Sequence, residues 1–179
     1  MHRALVERHG AALQARFDAG RVAVCGLGGL GSNVAIALAR AGVGHLHLMD
    51  FDLVDLSNLN RQQYMADQLG LPKTQALADT LRRIAPYCAV ETDTVRVTAE
   101  NLGELLEKDD IICEAFDDAQ AKAMLVSGVL ERFPHKPLVA ASGMAGLGSA
   151  NTIATRHPFA RLYLCGVGTS DVSEGLGLV

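Results

Sequence analysis

RVAVCGLGGLG, residues 21–31, is a short apolar strand followed at once by a glycine-rich turn. Gly26, Gly28 and Gly31 fit the pattern G-x-G-x-x-G, and residues 30–42 continue with the apolar spacing of a helix. Glycines let a backbone turn tightly and approach a ligand, and the free N–H groups at a helix start suit a phosphate. The order strand, turn, helix predicts a nucleotide-binding loop; the alternative is a turn without a ligand.

Strands and helices alternate along the chain on both sides of this loop. The alternation predicts a Rossmann-like, doubly wound α/β fold: a mainly parallel sheet with helices on both faces. The predicted strands are 21–26, 45–50, 89–97, 110–116 and 137–142. The predicted helices are 3–17, interrupted at Gly10, then 30–42, 73–84, 99–107 and 119–132, with a long functional loop at 51–70. We expect one domain over 1–179; the absence of a helix before Val179 leaves open a missing C-terminal tail.

Composition and charge narrow the class of protein. Of 179 residues, 49% are hydrophobic and 20% charged, which is ordinary for a globular domain. Sixteen basic against 20 acidic residues give a net charge of −4, which argues against a nucleic-acid partner. No apolar run reaches the roughly 18 residues that a membrane span needs, and the N-terminus lacks an apolar signal segment. We therefore expect a cytoplasmic protein with no membrane partner.

The polar segment DFDLVDLSNLNRQ, 50–62, separates two classes of nucleotide enzyme. Asp50 ends the second strand at about the spacing of ~20 residues expected for a ribose-binding carboxylate, which fits an NAD-dependent dehydrogenase equally well. A triphosphate, however, needs more polar groups than hydride transfer does. Arg61 offers a planar fork to phosphate oxygens, Asn58 a hydrogen bond to sugar or phosphate, and Asp52 a second acid. The segment favours ATP.

Two further charged residues fall at helix and strand ends. Lys73 opens a predicted helix, where it adds a second cation to the phosphates. Asp117 follows the fourth strand, at the carboxyl edge of the sheet where ligands of such folds bind, and its carboxylate is suited to Mg²⁺. The alternatives are that Arg61 and Lys73 are solvated surface charges and that Asp117 caps the helix from Ala119.

Taken together, GLGGLGS, DFDxVxxSNLNRQ, the lysine of GLPK and the aspartate after the fourth strand resemble the ThiF/MoeB/ubiquitin-activating superfamily. The resemblance covers nearly the whole chain, and SNLNRQ is its specific element. The short N-terminus and SGMAGLGSANTI most resemble a compact ThiF-like subgroup, the adenylyltransferases of the sulfur carrier protein ThiS. The implied activity is ATP-dependent adenylylation of the C-terminal carboxylate of a small ubiquitin-like carrier ending in Gly-Gly, with thiamine biosynthesis as the implied pathway. Molybdopterin synthesis and tRNA modification remain open.

The resemblance also implies roles for individual residues. Those implied to contact ATP are Gly26, Gly28, Gly29, Gly31, Asp50 at the ribose, Asp52, Ser57, Asn58, Arg61 and Lys73. Those implied to hold Mg²⁺ are Asp117 and, with it, Asp118. Family members are homodimers or pseudo-dimers in which an N-terminal arginine of one subunit reaches the other's site. Arg8 is the candidate here, with Arg3 and Arg16 as rivals.

The chain departs from the family pattern at its cysteines. Many members hold zinc with two CxxC pairs, whereas Cys25, Cys88, Cys113 and Cys165 form none, so we predict no zinc. The family's covalent thiol position corresponds to TSDVSEG, 169–175, which has no cysteine, and Cys165 with its apolar flank is interpreted as structural. We expect activation without a thioester step. A nicotinamide-dependent oxidoreductase and a non-catalytic module that binds a ubiquitin-like protein remain alternatives.

Two smaller features are interpreted without a ligand. GMAGLG, 143–148, follows a strand and is expected to form turns. His45 and His47 are two apart on a strand, so they share one face, and both are expected at a surface or interface.

Overall fold

The computed structural model describes residues 1–142 and 149–168; the GMAGLG segment, expected to form turns, and the TSDVSEG segment lie outside these ranges. The helices are α1 His2–His9, α2 Ala11–Ala19, α3 Gly29–Ala41, α4 Lys73–Ile84, α5 Leu102–Leu105 and α6 Ala119–Arg132. The strands are β1 Arg21–Cys25, β2 His45–Met49, β3 Ala89–Asp93, β4 Ile111–Glu114, β5 Leu138–Ala141, β6 Ala154–Phe159 and β7 Leu162–Gly166. Single 3₁₀ turns occupy Leu56–Asn58, Ala66–Gln68 and Ala150–Thr152. No described helix is both long enough and apolar enough to cross a membrane.

The seven strands form one sheet in the order β3-β2-β1-β4-β5-β7-β6. Each neighbouring pair is parallel except β6 and β7, which are antiparallel. The strand order reverses between β1 and β4, where Cys25 lies opposite Glu114. In an open α/β sheet this reversal leaves a crevice at the carboxyl ends of the strands, where ligands bind. The predicted Rossmann-like fold is confirmed.

Both faces of the central strands are covered. Val22 and Val24 of β1 belong to a core cluster that includes residues of α3 and α4. Ala23 and Cys25, which alternate with them, belong to a second cluster that includes residues of α5 and α6. Since strands buried on both faces have no polar side, β1 is a continuous apolar run.

The third strand and the helix after it are shorter than predicted. The strand predicted at 89–97 ends at Asp93, and the helix predicted at 99–107 is the single turn Leu102–Leu105. Asn101 explains the difference: its Oδ1 accepts from Thr98 N and its Nδ2 donates to Arg96 O. A side chain that bonds nearby backbone offers the chain an alternative to a ladder or a helical turn.

His47 is buried, which makes the expectation of a surface position wrong for this residue. Only 4% of it is exposed. Its Nδ1 lies 2.9 Å from Asp109 Oδ2 and its Nε2 lies 2.8 Å from Asp93 Oδ2. Burial lowers the pKa of His47, but hydrogen bonds with Asp109 and Asp93 outweigh it, and the net pKa is raised. His45 on the same face is only half-buried.

Candidate nucleotide-binding site

Two positions of the glycine loop between β1 and α3 have a geometry that only glycine can adopt. Gly26 has φ 90°, and a Cβ there would lie 2.8 Å from the Ala115 carbonyl oxygen. A Cβ on Gly31 would lie 1.8 Å from the Gly26 carbonyl oxygen. The backbone therefore turns closely around itself, and α3 begins at Gly29. A helix N-terminus at a switch point is a suitable phosphate site.

Asp50 ties the end of β2 to this loop. It is 8% exposed; its Oδ2 accepts from Leu27 N at 2.6 Å and its Oδ1 accepts from Asp52 N at 2.8 Å. Each carboxylate oxygen has a second lone pair for a further donor. The structure thus places Asp50 beside the glycine loop, and its contact with a ribose stays a prediction.

Arg61 lies against the glycine loop, and its predicted contact with phosphate stays a prediction. A Cβ on Gly29 would lie 3.4 Å from Arg61 Cγ. Arg61 Nη1 donates to Ser57 O at 3.2 Å and to Asn60 Oδ1 at 2.9 Å. Asn33 Nδ2 donates both to Gly29 O at 2.6 Å and to Arg61 O at 3.2 Å. The bonds that fix the guanidinium use Nη1, and its planar fork retains other N–H donors for phosphate.

Two more side chains hold the 61–64 segment on the loop, and sequence reasoning missed both. Ser32 Oγ donates to Gly28 O at 2.6 Å and accepts from Gln63 N at 3.1 Å. Tyr64 Oη donates to Leu27 O at 2.8 Å, and burial raises the pKa of this phenol. The sequence features that could have pointed to them were weak: small polar residues in the first turn of α3, and one tyrosine at the end of a polar run.

Gln62 has a buried polar atom beside the glycine loop that lacks a hydrogen-bond partner among the described residues. Only 7% of the residue is exposed, and that atom is its Oε1. Its Nε2 would lie 3.8 Å from a Cβ on Gly28. Because buried polar atoms normally have partners, this amide is consistent with a polar ligand on the glycine loop.

Ser57 and Asn58 belong to a capped 3₁₀ turn. Asp55 Oδ1 accepts from Ser57 N at 2.8 Å and from Ser57 Oγ at 2.6 Å. Asn58 Oδ1 accepts from Asp55 N at 3.1 Å, which completes a capping box. The hydrogen bonds from Ser57 lower the pKa of Asp55. Asp55 thus organises the turn, a role that sequence reasoning missed. The phosphate contacts of Ser57 and Asn58 stay predictions.

Lys73 is a buried cation paired with Asp52. It is 5% exposed, and its Nζ lies 2.9 Å from Asp52 Oδ2. Its backbone N donates to Asp52 O at 3.0 Å, so the start of α4 is fixed against the segment after β2. The alternative of a solvated surface charge is wrong for Lys73. The contact of Lys73 with phosphate and that of Asp52 with the nucleotide stay predictions.

The turn after β4 carries Asp117 and Asp118, which have different surroundings. Asp118 is the N-cap of α6, and its Oδ1 accepts from Ala121 N at 2.7 Å. Asp117 is exposed and makes no hydrogen bond with the residues that the structure describes. The alternative that Asp117 is the cap is therefore wrong. The turn touches the glycine loop, because a Cβ on Gly26 would lie 3.0 Å from Cδ1 of the Phe116 ring.

The donor set suits Mg²⁺ held together with phosphate. Within 1–142 and 149–168, no three His, Cys, Asp or Glu side chains cluster as metal ligands. Mg²⁺ keeps several waters and is commonly bound by one or two carboxylates plus substrate phosphates. Asp117 meets that need, and Asp118 has one oxygen beyond the one used in the cap.

The N-terminal helices lie far from the glycine loop of their own chain. Gln14 Nε2 donates to Gly42 O at 3.0 Å, and Leu5 Cδ1 would lie 3.2 Å from a Cβ on Gly42. Gly42 caps the end of α3, a helix of 13 residues, so the loop at its start is about 20 Å away. Arg8 is exposed at this far end, and so are its rivals Arg3 and Arg16. The structure does not bring any of the three to the site within one chain.

Comparisons with known proteins identify the family of this chain. The fold and the glycine loop define a Rossmann-like nucleotide-binding domain. The chain belongs to the ThiF family, which it matches over residues 2–175. It is 37% identical over 113 residues to the molybdopterin-synthase adenylyltransferase of Haemophilus influenzae, covering 63% of this chain and 46% of that protein. It is 36% identical over 137 residues to the tRNA threonylcarbamoyladenosine dehydratase of Escherichia coli, covering 75% and 50%.

A solved structure extends the likeness to the fold. The crystal structure of the E. coli tRNA N6-threonylcarbamoyladenosine dehydratase in complex with ATP has a TM-score of 0.79 and 30% identity, over 86% of this chain and 63% of that one. The chain thus spans about half the length of the curated relatives it matches.

Proposed function

We propose that the chain adenylylates the C-terminal carboxylate of a small ubiquitin-like sulfur-carrier protein. The carrier's carboxylate oxygen attacks the α-phosphorus of ATP, the bond from that phosphorus to the bridging oxygen breaks, and pyrophosphate leaves with the electron pair. The observation that carries the proposal is the contact of Arg61 and its neighbours with the glycine loop beside the turn of Asp117. Relatives named adenylyltransferases and a structural neighbour solved with ATP support it.

Catalysis in this scheme is positioning and electrostatics, with no protein nucleophile. The N-terminus of α3 binds phosphate, Asp50 the ribose, and Arg61 and Lys73 the phosphate oxygens. Asp117, with Asp118 as a second candidate, holds Mg²⁺. Bound Mg²⁺ supplies charge stabilisation at the phosphates.

The finer parts of the proposal are the carrier and the assembly. We propose a ThiS-like carrier with a Gly-Gly end, thiamine biosynthesis as the pathway, and the cytoplasm as the location. A homodimer, in which Arg8 of a second copy completes the site, fits the distance of Arg8 from its own glycine loop.

The deciding experiment is carrier-dependent exchange of pyrophosphate into ATP with the variant Asp117→Ala. We expect exchange to fall roughly a thousandfold, because loss of a metal ligand at a charge-developing centre costs about 4 kcal/mol of barrier. We expect no fall in melting temperature, because Asp117 is exposed and does not cap α6.

Other outcomes would point to other functions. Near-normal exchange in Asp117→Ala would contradict the mechanism. Nucleotide binding by the wild type without any exchange would favour a non-catalytic module, and saturable NAD binding without ATP binding would favour the oxidoreductase. ATP consumption that depends on tRNA rather than on a carrier would favour an activity like that named for the E. coli dehydratase.

A further inference from the structure

An ion pair between a buried carboxylate and a half-buried lysine closes the turn that carries Asp117. Glu114 is the last residue of β4, and its side chain is only 1% exposed. Lys122, in α6, places its Nζ 3.1 Å from Glu114 Oε1 and 3.2 Å from Oε2. The pair thus joins the residue before the turn to the helix after it.

The same two side chains also hold backbone on either side. Glu114 Oε1 accepts from Phe116 N at 2.7 Å, inside the turn. Lys122 Nζ donates to Ala141 O at 3.3 Å, at the end of the neighbouring β5. These directional bonds fix the turn at both of its ends, against β4 and against β5.

Stability alone does not account for charges at this position. Apolar groups of similar volume often replace a buried ion pair without loss of stability, whereas removing one partner is costly. Burial raises the pKa of Glu114, and the Lys122 charge opposes that rise. The neighbouring strand residues facing the same core are apolar, so a carboxylate here costs free energy that its hydrogen bonds must offset.

We propose that Glu114 and Lys122 are positioning residues, which hold Asp117 in the place where its carboxylate meets Mg²⁺ bound to the nucleotide phosphates. The proposal rests on the function proposed above only in the assignment of Asp117 to the Mg²⁺–nucleotide complex. Neither residue is required to touch the nucleotide.

The test is the gain in ATP affinity that Mg²⁺ produces, measured by calorimetry with ATP alone and with MgATP. We expect Asp117→Ala to abolish the gain. Lys122→Met should reduce it by about tenfold or more, since residues that orient a metal ligand commonly contribute 10–100-fold to metal affinity. Lys122→Arg, which preserves the charge, should retain most of it.

Lys136 is a suitable control, because it is a buried lysine that, like Lys122, donates hydrogen bonds to backbone. It is 8% exposed, and its Nζ donates to Leu106 O and Glu107 O, both at 2.7 Å. It precedes β5, at the opposite edge of the sheet from the site. Lys136→Met should lower the melting temperature and leave the Mg²⁺-linked gain unchanged.

The outcomes separate this proposal from the proposed function. A wild-type gain in Lys122→Met would overturn the positioning role, whatever the melting temperature; if that variant does not fold, the same result in Glu114→Gln would overturn it. A gain that survives Asp117→Ala would overturn it as well. A gain that is lost in Lys122→Met but kept in Lys136→Met supports the proposal, even if the wild type shows no carrier-dependent exchange and the adenylylation proposal fails.

Discussion

Individual glycines determine how closely the nucleotide loop can turn. Gly31 packs on the backbone of Gly26, whereas Gly29 faces the stem of Arg61. The two glycines are two residues apart but have different reasons for lacking a side chain. A side chain at position 31 would clash with rigid backbone, whereas one at position 29 would meet a side chain that can move.

Substitution of the two glycines should therefore have different effects. Gly31→Ala is expected to destabilise the fold by about 1–3 kcal/mol, because its Cβ would overlap the Gly26 carbonyl. Gly29→Ala should fold normally but displace Arg61, lowering ATP affinity by about tenfold, as expected for one charged hydrogen bond of roughly 1.5 kcal/mol. Melting curves and ATP titrations of both variants check this. Equal melting temperatures for the two would contradict the packing described here.

At the scale of the elements, the last two residues of the four-residue turn between β4 and α6 have separate roles. Asp118 begins α6 by capping it, and Asp117 one residue earlier is free to bind. Sequence patterns assign a cap only to within a residue or two, so the two acids exchange roles easily in sequence reasoning.

Asp118→Ala should cost about 1 kcal/mol of stability through loss of the N-cap bond to Ala121. Exchange activity should stay close to that of the wild type if Asp117 alone holds Mg²⁺. Chemical denaturation and the exchange assay, with Asp117→Ala as the paired variant, test this. A fall in the Mg²⁺-linked ATP affinity of Asp118→Ala would instead make Asp118 a second ligand.

At the scale of the whole molecule, a buried histidine links strands to the loop before β4. His47 on β2 lies between Asp93 of β3 and Asp109, and Arg21 Nε of β1 lies 3.9 Å from Asp109 Oδ1. Glu91 is paired with Arg21 at 2.7 Å on the same side. This network holds together elements that are far apart along the chain.

Stability should depend on pH through His47. Its pKa in the folded protein is raised, so the protonated form stabilises the fold fully below about pH 6.5, the ordinary value. That contribution is lost as pH rises through the folded-state pKa. The difference in unfolding free energy between wild type and His47→Gln should therefore shrink as the pH rises above about 6.5. A difference that stays constant or grows over this range would refute the raised pKa.

A shared site should show complementation between chains. If Arg8 acts in the other subunit, Arg8→Ala and Asp117→Ala homodimers are each inactive, but a mixed dimer contains one intact site of its two and should regain up to about half the wild-type activity per dimer. Sedimentation and melting curves must show that both variants fold and dimerise. No recovery in such mixtures would exclude sharing through Arg8, and Arg3 and Arg16 would be tested in the same way.

The sequence by itself determined the features that local backbone geometry governs. The glycine pattern of 26–31 specifies its turn, and apolar periodicity locates β1, β2 and α6 to within a residue or two. Alternation of strands and helices then restricts the sheet to a parallel one, which brings Asp50, Arg61 and Asp117 to its carboxyl edge.

Only the tertiary structure decided which side chains meet. Tyr64 bonds the carbonyl of a residue 37 positions away, and His47 a carboxylate 62 positions away. Such contacts depend on strand register and on how loops fold back over the sheet, which no local spacing encodes. The burial of Lys73 on Asp52 and the contact of Lys122 with Ala141 follow from the same cause. A charged residue looks alike in sequence whether it is solvated or paired, because its environment is set by residues distant along the chain.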